Sequence, residues 1–391
     1  MVLILLMVYK WSSTKVLKLI FCKCFFLAIS LSLAANAQNT TSANKDSNTR
    51  PLYCKIGGGF VELAGGDVSG RDLSNCNLIE SIFSNANLSG TDLSNSNIKG
   101  SNFNGANLSG ANLIGANLEG STFYGANLTD AKLVGAKFRN AKFRNADLSG
   151  ANFERAILVE SEFEQVNFSE TNLRNTDLTS ADFFNVKFVG TELNSAKMDY
   201  VKIFDSTLTS ADFSDVQGYD IDIHSSTLSN NKFDNSYFNK AAITETNLAS
   251  EDLSGVSLIG ALFRNSNLEN VNLSSSNLSG AIFIMPNNTS NLNLSNTIAV
   301  QARFRKANLN NANLSGANLS GSEFADADLS AADLSNANLT SAWLYDANFR
   351  EANFKDADLK DISYNNTDFS LATLPDGRIC LEQSIDTCLV N

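Results

Sequence analysis

The sequence predicts an all-β solenoid with four five-residue sides per coil, on three observations. Large apolar residues return at every fifth position but one from Leu63 to Phe283 and, displaced by one residue, from Leu294 to Leu374, where Ala299 and Tyr364 are the weak members. A small residue stands two places before most of these centres, as at Ala106, Ala111 and Ala116. Like centres also recur at every fourth step: Phe83, Phe103, Phe123, Phe143, Phe163 and Phe183 make one series, and Leu88, Leu108, Leu128 and Leu148 the next.

A period of five fits neither the 3.6 of a helix nor the two of a strand. A helix would spread the apolar residues around its surface, and the frequent Gly and Asn would weaken it. A chain that turns a corner every few residues satisfies the pattern. The centre and the small residue before it point inward, the other three face water, and Gly, Asn or Ser suit the corner. Stacked coils then share backbone hydrogen bonds. The recurrence at every fourth centre sets the sides at four, because it places Phe on Phe and Leu on Leu.

Along the chain, residues 16–37 read VLKLIFCKCFFLAISLSLAANA, a basic-flanked apolar run ending in Ala35-Asn36-Ala37. Small residues at these positions fit removal of a signal peptide spanning 1–37, with an uncleaved membrane anchor as the other reading. Met7 is an alternative start. Residues 38–59 are expected to be a polar linker and entry segment, followed by the solenoid over 60–374 and a C-terminal cap over 375–391. At ~4.8 Å per coil, about 15 coils give a rod of roughly 75 Å. Two irregularities interrupt the solenoid. IFIMPNNTSNLNL adds one residue near 284–293, after which Phe304 and Phe324 resume the Phe series, so a small loop on one continuous solenoid is expected. Gly218 stands where a centre is due, without a change of register, and is expected to mark a dent, a wider corner or a kink.

Repeats such as Ala106-Asn107-Leu108-Ser109-Gly110 and Ala146-Asp147-Leu148-Ser149-Gly150 resemble the A-[DN]-L-x-x consensus of the pentapeptide repeat family. The resemblance spans roughly residues 60–374. It implies a right-handed quadrilateral β-helix with four pentapeptides per coil, and it says little about function. One branch of the family mimics DNA and binds type II topoisomerases in the cytosol. The leader-like segment departs from that branch, and PDGRICLEQSIDTCLVN is too short and turn-rich for a dimerising helix.

Four cysteines lie beyond the leader: Cys54 and Cys76 at one end of the repeats, Cys380 and Cys388 at the other. An oxidising compartment would close each pair, while Cys76 in a small inward slot would equally suit a free thiol. The formal charge is -12. The first 37 residues hold only Lys10, Lys15, Lys18 and Lys23 as charges, so the remainder is more acidic still. Such a surface repels nucleic acid and favours solubility or basic partners.

No catalytic set is legible. His224, the single histidine, follows centre Ile223 and should face solvent. No nucleophile elbow, phosphate loop or calcium loop is present, so neither an enzyme activity nor a cofactor or metal is expected. Two surface features stand out as candidate interaction sites: the loop Pro286, Asn287, Asn288, Thr289 and Ser290, and a basic band of Lys132, Lys137, Arg139, Lys142 and Arg144. Arg303, Arg305 and Lys306 make a smaller basic knot. The plainer reading of these charges is ordinary repeat variation offset by neighbouring acids. The sequence therefore points to an exported, non-enzymatic binding or scaffolding rod, periplasmic, lumenal or secreted, with a protein or glycan partner and no membrane span in its mature form. The alternative is a DNA mimic that protects a topoisomerase.

Overall fold

The computed structural model describes Cys54, residues 59–284, Thr289 and residues 291–388. The expected leader, most of the linker, and Pro286, Asn287, Asn288 and Ser290 lie outside the described residues.

The chain winds as a four-sided parallel β-solenoid. Within one coil, Glu62, Asp67, Asp72 and Asn77 each bridge the equivalent residue of the next coil: Ile82, Asn87, Asp92 and Asn97. The inter-coil bonds are those of a parallel ladder, such as Leu63 N to Ile82 O at 2.8 Å and Ile82 N to Val61 O at 2.9 Å. Twelve three-residue strands stand out: β1 Thr122–Tyr124, β2 Lys142–Arg144, β3 Glu162–Glu164, β4 Asp182–Phe184, β5 Lys187–Val189, β6 Lys202–Phe204, β7 Thr207–Thr209, β8 Asp222–His224, β9 Thr227–Ser229, β10 Ala242–Thr244, β11 Leu262–Arg264 and β12 Ile282–Ile284. Nine form one parallel sheet in the order β1-β2-β3-β4-β6-β8-β10-β11-β12, and β5-β7-β9 form a second on the next wall. The expected number of coils needs a distinction here. Continuous strands give only nine rungs, whereas single bridges carry the same step from Glu62 to Thr373. The extra residue near 284–293 shows as a step longer by one, in Asn272 to Asn293 and Ile282 to Arg303.

The repeat dictates this winding locally. Most sides end in a turn closed by the N–H of the next small residue on the centre's carbonyl, as from Ala111 to Leu108 at 3.0 Å. The third turn residue takes a positive φ, 62° at Gly110 and 55° at Asn95, which explains Gly and Asn there. The Asn or Asp before each centre has two roles. Its Oδ1 accepts the N–H two residues on, as Asp67 does from Ser69 at 3.0 Å. Its amide, where it is Asn, reaches the same position one coil earlier, as Asn112 to Asp92 at 3.0 Å.

The core is the column of centres. Phe103 and Phe123 stack at 5.0 Å and 2°, and Phe123 and Phe143 at 4.6 Å and 7°. Beyond the inserted residue, Phe283 lies on Phe304 at 4.8 Å, so the ladder runs through the insertion. Each such pair contributes about 0.5–1.5 kcal/mol beyond its burial. Gly218 makes no dent. The side chain of Ile221, in a slot normally held by Ala or Ser, occupies the missing centre's space, and a Cβ on Gly218 would overlap its Cδ1. Disulfides join Cys54 to Cys76 and Cys380 to Cys388, with Cα separations of 5.0 and 5.7 Å. The C-terminal end folds back antiparallel, pairing Asp368 with Ile385 and Thr373 with Ile379.

Candidate interaction surface

Parallel sheets are usually covered on both faces. Here the centres of the nine-stranded wall face the core and the flanking residues face outward. That outer face carries both charged and aromatic side chains. Before the centres run Lys142, Glu162, Asp182, Lys202 and Asp222, and after them Tyr124, Arg144, Glu164, Phe184, Phe204 and His224. Stacking of one coil on the next turns these into pairs. Lys142 Nζ lies 3.0 Å from Glu162, Arg144 2.5 Å from Glu164, and Lys202 3.3 Å from Asp182. Hydrogen bonding to Glu162 holds the Lys142 ammonium above its ordinary pKa. Asp222 is raised by partial burial, against the attraction of His224 and Lys202.

Aromatic rings flank these pairs. Phe184 and Phe204 meet edge-on at 5.2 Å, and Phe204 meets His224 at 5.8 Å. The Arg144 guanidinium sits 5.9 Å from the Tyr124 ring centre. Tyr124 and Phe184 bound a shallow trough of about 160 Å³ whose floor is Lys142, Arg144, Glu162, Glu164 and Asp182. On the neighbouring wall Tyr200 meets Tyr219 edge-on at 5.9 Å, and Lys240 lies 5.1 Å from the Tyr219 ring. Tyr200 and Tyr237 are more than half exposed.

The expected basic band is therefore not a free cationic patch. Lys142 and Arg144 face acids one coil later, and so does Arg139, at 3.7 Å from Glu160, on the preceding wall beside Lys137; Lys132 stands on a third wall. Arg305 likewise lies 3.5 Å from Asp326. Thr289, named as part of an exposed loop, is buried and leaves that surface. His224 faces outward as expected, 3.8 Å from Glu245. The aromatic row was legible as Phe184 and Phe204, one coil apart and each directly after a centre, but reading the centres alone passes over it. A second hollow of about 440 Å³ lies at the C-terminal end between Leu359, Ile362, Tyr364, Leu374, Pro375 and Arg378. Among the described residues, no group of three His, Cys, Asp or Glu could hold a metal ion, and no helix is long and apolar enough to cross a membrane.

Four sides per coil, parallel bridges from each coil to the next and an inward Leu or Phe on most sides define a quadrilateral β-solenoid. Two family profiles match the chain: pentapeptide repeats, in eight copies over 72–110, 106–145, 252–284, 290–324 and 322–361, and a pentapeptide repeat region over 136–213. The protein belongs to the pentapeptide repeat family.

No curated protein matches the chain. Among solved structures it is similar to HetL, a pentapeptide repeat protein involved in heterocyst differentiation regulation from the cyanobacterium Nostoc sp. strain PCC 7120. Identity is 24%, over 78% of this chain and 92% of HetL, with a TM-score of 0.18. Full-length QnrB1, a plasmid-mediated fluoroquinolone resistance protein, is 20% identical over 55% of this chain and 94% of its own, with a TM-score of 0.29. A pentapeptide repeat protein from the Arabidopsis thaliana thylakoid lumen is 26% identical over 36% and 75%, with a TM-score of 0.18. None of these carries a function over.

Proposed function

We propose that the protein is an exported, non-enzymatic interaction rod that presents the nine-stranded wall to a protein or glycan partner. The observation that carries this reading is the wall itself: an open parallel sheet with exposed aromatic rings beside charge pairs that are already satisfied. Exposed aromatic area with few free charges suits contact surfaces, where Tyr, Phe and Arg are enriched and unpaired charge is depleted. The leader-like segment and the two disulfides support export, since disulfides persist in oxidising compartments. Among the described residues the single histidine, His224, faces an acid, Glu245 at 3.8 Å, and not a nucleophile, which is why the reading is non-enzymatic.

The test is site-specific photocrosslinking in the native host, after fractionation and intact mass measurement. A photoreactive residue at Tyr124 or Phe184 should capture a partner that the same residue at Ser279 does not. Equal capture, or none, at the three positions removes the wall as the contact surface. A full-length cytosolic chain removes export. In that case the second reading, a DNA mimic acting on a type II topoisomerase, gains from the net charge of -12. A gyrase supercoiling assay then decides it, and absence of inhibition or protection at micromolar protein ends it.

A further inference from the structure

The inward slots carry a second, polar ladder inside the core. At the corner after the second wall these slots hold Thr171, Thr191, Ala211, Asn231, Glu251 and Val271. A polar slot residue can do two things. It accepts the N–H of the slot residue one coil earlier, as Asn231 Oδ1 accepts from Ala211 N at 2.9 Å. It also donates to the carbonyl of the centre that precedes that earlier slot. Thr171 Oγ1 gives to Leu148 O at 2.8 Å, Thr191 Oγ1 to Phe168 O at 2.7 Å, and Asn231 Nδ2 to Leu208 O at 3.0 Å. The same step recurs at the preceding corner, from Thr246 to Ile223 O and Ser266 to Ile243 O.

Glu251 occupies the next slot and is 1% exposed. Its Oε2 accepts twice from Asn231, from the backbone N–H at 3.3 Å and from Nδ2 at 3.2 Å. That diverts the Asn231 N–H from the turn bond it would otherwise make to Leu228 O. Its Oε1 is buried without a partner. By the same step, the carbonyl that Glu251 should serve is Leu228 O. A carboxylate cannot donate, and a carboxylic acid can.

We infer that Glu251 is a proton-binding site: it is carried as the neutral acid, with the proton on Oε1 given to the Leu228 carbonyl, and this proton closes the corner at residues 228–231. The surroundings agree. Burial raises this carboxyl above its ordinary pKa, outweighing the bonds from the Asn231 side chain and from the Asn231 and Asn230 backbone, and the adjacent Asp252 raises it further. No cation faces it. The slot above is Val271 and the slot below is neutral Asn231, the neighbouring centres are Leu228, Leu248 and Leu268, and Lys232 on the coil below is exposed. Asp252 points outward and accepts from Asn272 at 2.9 Å. A carboxylate with no cation beside it and one oxygen unpartnered is costly in such a place, which favours retention of the proton.

The folded chain holds a proton that the unfolded chain releases near the ordinary Glu value of about 4.3. Stability is therefore greatest below that value and falls as pH rises from it through the raised folded value. Loss of the proton leaves two acceptors facing each other, and the corner after β9 opens. Local stability of this stretch thus reports the pH of the compartment. The inference stands apart from the proposed binding role.

The test is thermal unfolding of the disulfide-intact chain and its Glu251→Gln variant from pH 4 to 9. Gln keeps the shape and supplies a permanent donor. The two melting temperatures should agree at pH 4, and Glu251→Gln should be higher by roughly 2–4 °C at the alkaline end. A variant less stable than wild type at pH 8, or a difference independent of pH, overturns the inference. A second measurement needs no variant: carboxyl 13C NMR on Glu-labelled wild type. One Glu carboxyl should titrate above the ordinary Glu range, and that carboxyl should be absent from the spectrum of Glu251→Gln. Titration of every Glu carboxyl near its ordinary value overturns the assignment.

Discussion

The exchange between Gly218 and Ile221 makes a quantitative prediction. Most other sides of its column have a large centre and a small slot residue two places earlier. Here the centre is Gly218, and Ile221, three residues on in the next slot, supplies the missing volume. Its Cδ1 and the Phe238 ring lie where a Gly218 side chain would go. Gly218→Leu alone should overpack the site and cost about 1–3 kcal/mol. Ile221→Ala alone should leave a cavity and cost about 2–5 kcal/mol. Gly218→Leu with Ile221→Ala restores the ordinary repeat and should lie within about 1 kcal/mol of wild type, a coupling of at least about 2 kcal/mol. Backbone strain does not interfere, because Gly218 has no positive φ. A solenoid is quasi-one-dimensional and need not unfold as one unit, so a global denaturation curve could dilute the effect. Hydrogen exchange at the Gly218 amide, bonded to Tyr237 O at 2.8 Å, reads the coil directly. Additive costs in the double variant would show that Ile221 does not fill the place of the absent centre. The core near this site is looser than elsewhere, with Phe233 and Phe238 each 6% exposed against 0% for Phe123, which favours the low end of these ranges.

Other consequences follow from the same packing. Phe143→Ala, in the middle of the stacked ladder, should cost about 3–5 kcal/mol by urea denaturation. Ser109→Ala on an outer wall should cost under ~0.5 kcal/mol, and equal costs would contradict the inward and outward assignment. Ala331, exposed at φ 56°, should be stabilised by Gly by roughly 0.5–1 kcal/mol, since relief of the left-handed strain exceeds the added chain entropy. A lower melting temperature for Ala331→Gly would refute this. At the C-terminal end, Glu382 is held below its ordinary pKa by its paired hydrogen bonds from Arg350, at 2.8 and 2.9 Å. That contribution is present above the ordinary Glu value of about 4.3 and is lost as pH falls through the depressed one. Amide protection at Phe369, bonded to Ser384 O, should therefore weaken in acid for wild type and not for Glu382→Gln.

Much of this architecture is legible in the sequence because one packing rule repeats. Leu or Phe every fifth residue can be buried together only if the chain turns a corner between them, and Phe on Phe at every fourth centre permits only four sides. The surface is legible only when the same coil-to-coil step is applied to outward positions. Lys142 and Arg144 look like a basic band until they are set over Glu162 and Glu164. Phe184 and Phe204 look like ordinary repeat variation until they are set side by side. The Gly218 site escapes for another reason. Its compensation lies in a slot whose usual occupant is small, and periodicity reports what is usual at a position, not what fills a neighbour's space.

The flatness of the candidate wall has a source in the slots. Where the slot is Ala, its N–H closes the turn at 3.0 Å, as at Ala111 and Ala116. Where it is Ser with a hydroxyl one coil on, the N–H divides its interest. Ser81 and Ser101 still reach the centre's carbonyl, but at 3.3 Å, while each also reaches a Ser hydroxyl at 3.0 and 3.1 Å. At Ser206, Ser226 and Thr246 the exchange is complete. Each N–H goes to the next hydroxyl, and the carbonyls of Ile203 and Ile223 are taken by Ser226 and Thr246 from the coil above. The corner widens and the residues before it run on as strands β6, β8 and β10. Phe123 and Phe143 reach the strand form with Ala126 and Ala146 in the slots, and the sides before Ser81 and Ser101 keep their turns, so a slot hydroxyl is neither necessary nor sufficient; what accompanies β6, β8 and β10 is the completed exchange. The consequence runs outward. An extended side sets its two flanking side chains on a flat, evenly spaced surface, and the row Phe184, Phe204 and His224 lies where these corners gather. Where the slot N–H passes fully to the hydroxyl one coil on, as at Val186, Ser206 and Ser226, the core thus shapes what the rod presents outside.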